Sequence, residues 1–159
     1  MSGMSKIVKT IAGITFPFVM IYGLYVIVHG HLTPGGGFQG GAVVASGLAM
    51  ILVAFGSVWT MKKIKEKHLS VFESTGAIVF ILAAILGLLL ASVFFNNFLA
   101  DGGIIFGDTV EPETNTGNIN TAGVIPIMNI AVGLKVITGL FAIVLVMAFA
   151  TTKMGGSKK

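Results

Sequence analysis

Four separate apolar runs, at approximately 7–28, 38–59, 71–95 and 124–150, take up most of this 159-residue sequence. Each holds about 22–27 residues, and at about 1.5 Å of rise per residue that crosses a ~30 Å hydrocarbon layer with or without tilt. None contains an arginine, and the only charges inside them are Lys9, Glu73 and Lys135. With 55% hydrophobic and 10% charged residues, and a mean hydropathy of +0.97, a soluble domain is excluded. The sequence predicts an all-α integral membrane protein with four transmembrane helices in a single membrane domain, 1–159.

The lysines set an expected orientation. Lys6 and Lys9 precede or open the first helix, Lys62, Lys63, Lys65 and Lys67 fill the connection 60–70, and Lys153, Lys158 and Lys159 close the sequence. The connection 29–37 has no Lys, Asp or Glu, and 96–123 has Asp101, Asp108, Glu111 and Glu113 but no Lys. The positive-inside rule then predicts cytoplasmic N- and C-termini, a cytoplasmic loop 60–70 and external loops 29–37 and 96–123. Trp59 beside the basic loop, and Tyr22 and Tyr25 near the opposite face, fall where aromatic belts are expected. The acidic third loop is suited to attracting cations at the outer surface or to docking on a neighbour.

A net charge of +4 does not point to nucleic acid, because juxtamembrane lysines are accounted for by topology and anionic lipid. Cysteine is absent, which removes disulfides, thiolate metal sites and thiol nucleophiles. The first apolar run exceeds the 7–15 residues of a signal-peptide core and is followed by no clear cleavage site, so it is expected to remain as a helix. No repeat of helix-pair length suggests two inverted halves within the chain.

The densest local signal is His29-Gly30-His31-Leu32-Thr33-Pro34-Gly35-Gly36-Gly37-Phe38-Gln39-Gly40-Gly41. Pro34 disfavours helical geometry at Thr33 and pre-sets a turn. The three glycines that follow permit unusual φ and close backbone approach. Gly35, Gly37 and Gly40 match G-x-G-x-x-G, but with no preceding strand or βαβ unit the dinucleotide reading fails, and no Lys follows to make a phosphate loop. No cofactor is expected. Gly36/Gly40 and Gly37/Gly41 are small-x-x-x-small pairs, continued by Ser46 and Gly47, and such spacing lets helices pack tightly in lipid. The competing functional reading places the positive end of helix two and Gln39 on an ion or water path.

His29 and His31 bring imidazole, which titrates near neutrality when exposed. His29 reads best as an interfacial anchor and His31, beside the glycine turn, as the proton-handling candidate. With no Asp, Glu or Cys nearby in sequence, no metal site is expected.

Lys135 lies about three residues from the middle of the fourth run, within ~5 Å of the membrane midplane on straight-helix geometry. Intramembrane charges usually face a bundle interior or a water-filled cavity. Ala131, Thr138, Gly139 and Ala142 share its face, a narrow stripe suited to another helix, and Asn129 adds a polar group near the outer end. Glu73 is the one intramembrane carboxylate. Ser70-Val71-Phe72-Glu73 reads as an S-x-x-E capping box that would return Glu73 to the Ser70 amide. With straight helices, Glu73 and Lys135 differ in depth by about 18 Å, which predicts that they do not pair. The expected partner of Lys135 is then a carbonyl, a water or a carboxylate on another subunit, or else the amine is neutral.

HGHLTPGGGFQGG at 29–41 and GVIPIMNIAVGLK at 123–135 resemble the two hallmark segments of the B subunit of Mrp-type multisubunit Na+/H+ antiporters. Length, four-helix topology and the order of both segments match, so the resemblance covers nearly the whole chain. Similar B-type subunits also occur in archaeal membrane-bound hydrogenases and related sulfur-reducing complexes. The resemblance implies an accessory, non-redox subunit in the cell membrane, packed beside large antiporter-like subunits, with Na+ and H+ as the transported ions. It supplies no catalytic residue. The candidate ion-path residues are therefore those read from the sequence: Lys135, His31, Gln39 and Glu73. Pro34, Gly35, Gly36, Gly37, Gly40 and Gly41 form the turn and packing set. A purely structural scaffold is the alternative reading, and a small self-contained carrier a third.

Overall fold

The computed structural model describes residues 4–32, 34–64, 66–99 and 123–156. These form five helices: α1 (Lys6–Val28), α2 (Gly36–Phe55), α3 (Ser57–Lys63), α4 (Glu66–Ala91) and α5 (Ile125–Gly156). Four of them contain segments long and apolar enough to cross a membrane: Lys6–Val28, Gly36–Phe55, Lys67–Leu90 and Ile125–Thr151. The chain is a multi-pass membrane protein. The acidic residues Asp101, Asp108, Glu111 and Glu113 lie outside the described residues, as do Thr33 and Lys65.

Three helix boundaries depart from the apolar runs, each for a local reason. The second run is two helices, because Gly56 adopts φ +91°, which an L side chain resists, and turns the chain into α3. The hydroxyl of Thr60 donates to the Gly56 carbonyl and closes the first turn of α3. α4 starts at Glu66, five residues before the apolar run, since Leu69 is buried in a cluster with Leu52, Phe141 and Leu145 and draws the polar turn into the helix. It stops at Ala91, where Ser92 and Phe95 take positive φ and the chain folds back against Gly87, close to Asn96. The side-chain oxygen of Asn97 then accepts from the Val124 amide at 2.7 Å, tying the end of α4 to the start of α5.

The helices pack as a row, α1–α2–α5–α4, with α5 also touching α1. α2 runs antiparallel to α1, as the bond from the Met4 amide to the Ala54 carbonyl shows, and α5 runs alongside α2. One end of the row therefore carries Lys6, Lys9, Lys62, Lys63 and Lys67, and the other carries the α1–α2 turn. A row leaves much apolar surface open. Ile7, Ile11, Ile14, Phe18 and Ile21 make an exposed stripe along α1, and Ile78, Ile81, Leu82, Ile85 and Leu89 another on α4. In water such surface would drive association; in a bilayer it is met by lipid or by other helices.

Candidate functional site

The glycine segment divides its work residue by residue. Gly35 (φ +145°) caps α2 and Gly36 (φ +63°) opens it, so both positive-φ residues are used to enter the helix. Gly37 is already helical and lies against α5, where a Cβ would collide with the carbonyl of Asn129 and stand 2.9 Å from the Gly133 amide nitrogen. Gly41 repeats this contact a turn later, against the Gly133 carbonyl and Val136. Gly40 faces the other way, to α1, where a Cβ would stand 2.6 Å from the Gly23 carbonyl and 2.8 Å from the Ile27 amide nitrogen. The glycines thus give α2 two close faces, one for each neighbour. Pro34 is exposed in the turn.

Asn129 of α5 reaches into this turn. Its Nδ2 lies 3.0 Å from the place a Gly30 Cβ would occupy, and its Oδ1 3.4 Å from that of Gly36. Gly30 and Gly36 themselves touch, so the asparagine packs against the two limbs of the turn where they meet. His31 follows directly, with both ring nitrogens shielded from the surface and without a hydrogen-bond partner. His29 is held differently: its ring stacks on Tyr25 at 4.2 Å between centroids, and Nδ1 lies 3.3 Å from the Tyr25 carbonyl. Gln39 is exposed, and its Oε1 folds back to within 3.1 Å of the Cβ position of Gly35.

A second polar site lies between α4 and α5. Lys135 Nζ stands 3.5 Å from Glu73 Oε1. The expected separation of about 18 Å is wrong because the two helices do not end at a common level. α4 begins at Glu66, which moves Glu73 into its second turn, and α5 continues to Gly156 past the start of α4. Gly76 sets the register: a Cβ there would stand 2.6 Å from the Ala131 carbonyl and 3.0 Å from the Lys135 amide nitrogen. The carboxylate consequently lies over one turn of α5, with Oε1 3.5 Å from the place a Gly139 Cβ would occupy on its far side. The capping box fails for the same reason, since Ser70 is inside α4 and Glu73 turns to the lysine. Thr138, buried beside the pair, donates to the Leu134 and Lys135 carbonyls.

Both charged side chains remain open, 50% exposed for Lys135 and 41% for Glu73. Next to them is a groove of about 310 Å³ lined by Gly76, Ala77, Phe80, Ile81, Ala131, Val132 and Lys135. The pair is therefore at the outer surface of the helix row, reachable from beside it. Among the described residues no three His, Asp or Glu side chains come together.

The four ion-path candidates thus fall into two groups. His31 and Gln39 are at the α1–α2 turn, whereas Lys135 and Glu73 are between α4 and α5. α5 serves both, turning Asn129, Gly133 and Val136 to α2 and Ala131, Lys135 and Gly139 to α4. Gly76, which seats α4 on the lysine turn, was missed from sequence; its signal was a small residue three positions after Glu73, on the same helix face. Gly23, the partner of Gly40, was missed too, because an isolated glycine in an apolar helix carries no spacing pattern.

Residues 7–142 match the family described as a domain related to the MnhB subunit of Na+/H+ antiporter. The chain is 37% identical over 139 residues to the uncharacterised protein MJ1307 of Methanocaldococcus jannaschii, a match covering 86% of this chain and 49% of that protein. It therefore spans about half the length of the curated relative. It is also similar to a chain in the structure of the membrane-bound sulfane sulfur reductase, an archaeal respiratory membrane complex. The TM-score is 0.74 at 33% identity, over 91% of this chain and 58% of that one. Both segments that meet at Asn129, the glycine turn and the start of α5, lie within the matched residues, and the chain belongs to the family of domains related to the MnhB subunit of Na+/H+ antiporters.

Proposed function

We propose that the chain is a membrane subunit of a multisubunit cation/proton antiporter module, and that its Lys135–Glu73 pair borders the ion path. The observation that carries this is the pair itself: two charges within membrane-spanning helices, in contact with each other and open to one side. An ammonium at the centre of a transmembrane helix costs about 2.5–3.5 kcal/mol on insertion scales, and intramembrane charges are commonly retained for ion or proton movement. The groove beside the pair gives an aqueous path or a neighbouring helix a place to meet it. Na+ and H+ are the transported ions in this reading, and the partners are other membrane subunits of a cell-membrane complex. The lysine-bearing end of the row, with both termini, faces the cytoplasm in accord with the positive-inside rule. The chain acts as a single membrane domain, 1–159, and contributes no catalysis of its own. Membership of the family and the likeness to a chain of a respiratory membrane complex support this assignment.

The test is the Lys135→Met and Glu73→Gln variants in the assembled complex, with assembly read on a native gel and antiport in inverted vesicles. Assembly with loss of antiport is the expected result. Assembly with unchanged antiport makes the chain a scaffold.

A further inference from the structure

Three polar atoms at the turn end of the helix row are shielded and have no hydrogen-bond partner: His31 Nδ1, His31 Nε2 and Asn129 Nδ2. Buried polar groups in folded proteins are satisfied by protein or by ordered water, because a shielded donor or acceptor left without a partner has lost its hydration for nothing in return. What these atoms ask for is specific. A neutral imidazole presents one donor and one acceptor, and a carboxamide nitrogen only donates. Their ligand must therefore both donate and accept, and among the described residues no charged side chain stands at this end to favour an ion. Water meets those terms. Were the Asn129 amide turned over, its oxygen would be the shielded atom, and water would satisfy that equally.

Geometry sets a minimum number. The two imidazole nitrogens point to diverging sides of the ring, so one water cannot bind both. We propose that His31 and Asn129 hold a short chain of buried waters where the α1–α2 turn meets α5, with the His31 ring as its proton-carrying link. A proton enters on the unprotonated ring nitrogen from one water, and the proton on the other nitrogen leaves to the next. The ring ends neutral in its other tautomer, and one proton has crossed. Among the described residues, the other titratable groups at this end of α1, α2 and α5 are Tyr22, Tyr25 and His29. His29 is occupied by Tyr25. Lys135 lies six residues beyond Asn129, about 9 Å deeper along α5 and on the face turned to α4. The relay rests on the ion-path reading above; the water site does not.

The water site is tested by X-ray radiolytic footprinting of the assembled complex in native membranes. Hydroxyl radicals formed from bound water oxidise the side chains that hold it, and mass spectrometry reads the site. We expect His31 to be oxidised in the wild-type complex, and Asn129→Leu to lower that yield several-fold. A His31 left unmodified shows a ring held dry by another chain or by residues 101–122 and overturns the site. Oxidation that Asn129→Leu leaves unchanged overturns the shared site, since the water is then not held by Asn129. If Asn129→Leu fails to assemble, Asn129→Ala replaces it with the same two readings. The relay is tested by His31→Gln, which keeps hydrogen bonds to water but carries no proton through. Assembly with loss of proton transport is expected. Normal transport in His31→Gln with failure in Lys135→Met removes the relay and leaves the ion-path reading standing. Normal transport in both removes the ion-path reading as well.

Discussion

Gly37 lies directly on the main-chain carbonyl of Asn129, backbone against backbone, at the point where α2 meets α5. No rotamer change relieves a side chain placed there, since neither the carbonyl nor the neighbouring Gly133 nitrogen can swing away. The contact joins the two sequence segments that carry the family resemblance into one junction, through residues 92 positions apart.

Gly37→Ala is therefore expected to push α2 off α5 and to lower stability by about 1–3 kcal/mol, the usual cost of overpacking. Gly13→Ala is the control, because nothing lies within 4 Å of a Cβ there. Apparent melting temperature of the purified protein in detergent reads both. Equal behaviour of the two variants would falsify the close junction.

The Lys135–Glu73 contact predicts a non-additive pair. Lys135→Met or Glu73→Gln alone leaves a charge without its partner and is expected to cost up to about 1 kcal/mol, the range for a pair whose side chains are 50% and 41% exposed. Lys135→Met combined with Glu73→Gln removes both charges and should recover most of that loss. Denaturant titration of the four proteins completes the double-mutant cycle. Strictly additive losses would mean that the two side chains do not interact.

Gly76 controls whether that pair forms. A Cβ at Gly76 meets the Ala131 carbonyl at 2.6 Å, so Gly76→Ala should spread α4 from α5 and weaken the pair along with the packing. In a Gly76→Ala background the coupling energy of the same cycle is expected to shrink. An unchanged coupling would place the source of the register elsewhere.

Ser70 is exposed and lies inside α4, four residues beyond its first residue. Ser70→Ala is accordingly expected to change stability by no more than about 0.5 kcal/mol, as for an ordinary surface substitution. A true N-cap would lose about 1 kcal/mol, and a loss of that size would restore the capping box.

Gly56 turns the end of α2 into α3 at φ +91°. Gly56→Ala should cost about 1–2 kcal/mol through forced left-handed backbone. Trp59, stacked on Phe55 at 4.8 Å across the bend, supplies the readout: its fluorescence should shift if the bend straightens. A variant with wild-type stability and emission would show that the bend does not need glycine.

Lipid as the solvent, helix as the only repeating element and four crossings followed from run length and hydropathy, because those depend on composition along the chain and hardly on packing. Turn chemistry was equally local: Pro34 and three glycines had to end one helix and start the next. The pairing of Lys135 with Glu73 was not legible, and the reason is physical. Depth was reckoned from the edges of the apolar runs, but helices end where side chains are buried and backbone turns, so Leu69 pulled α4 five residues earlier and changed the level of Glu73. Helix register is a sliding coordinate that hydropathy leaves nearly flat; contacts such as Gly76 on Ala131 and Gly37 on Asn129 decide it. Which polar groups meet in this protein was thus settled by close backbone approach in the tertiary structure, while the sequence by itself determined that there would be few charges within the apolar runs.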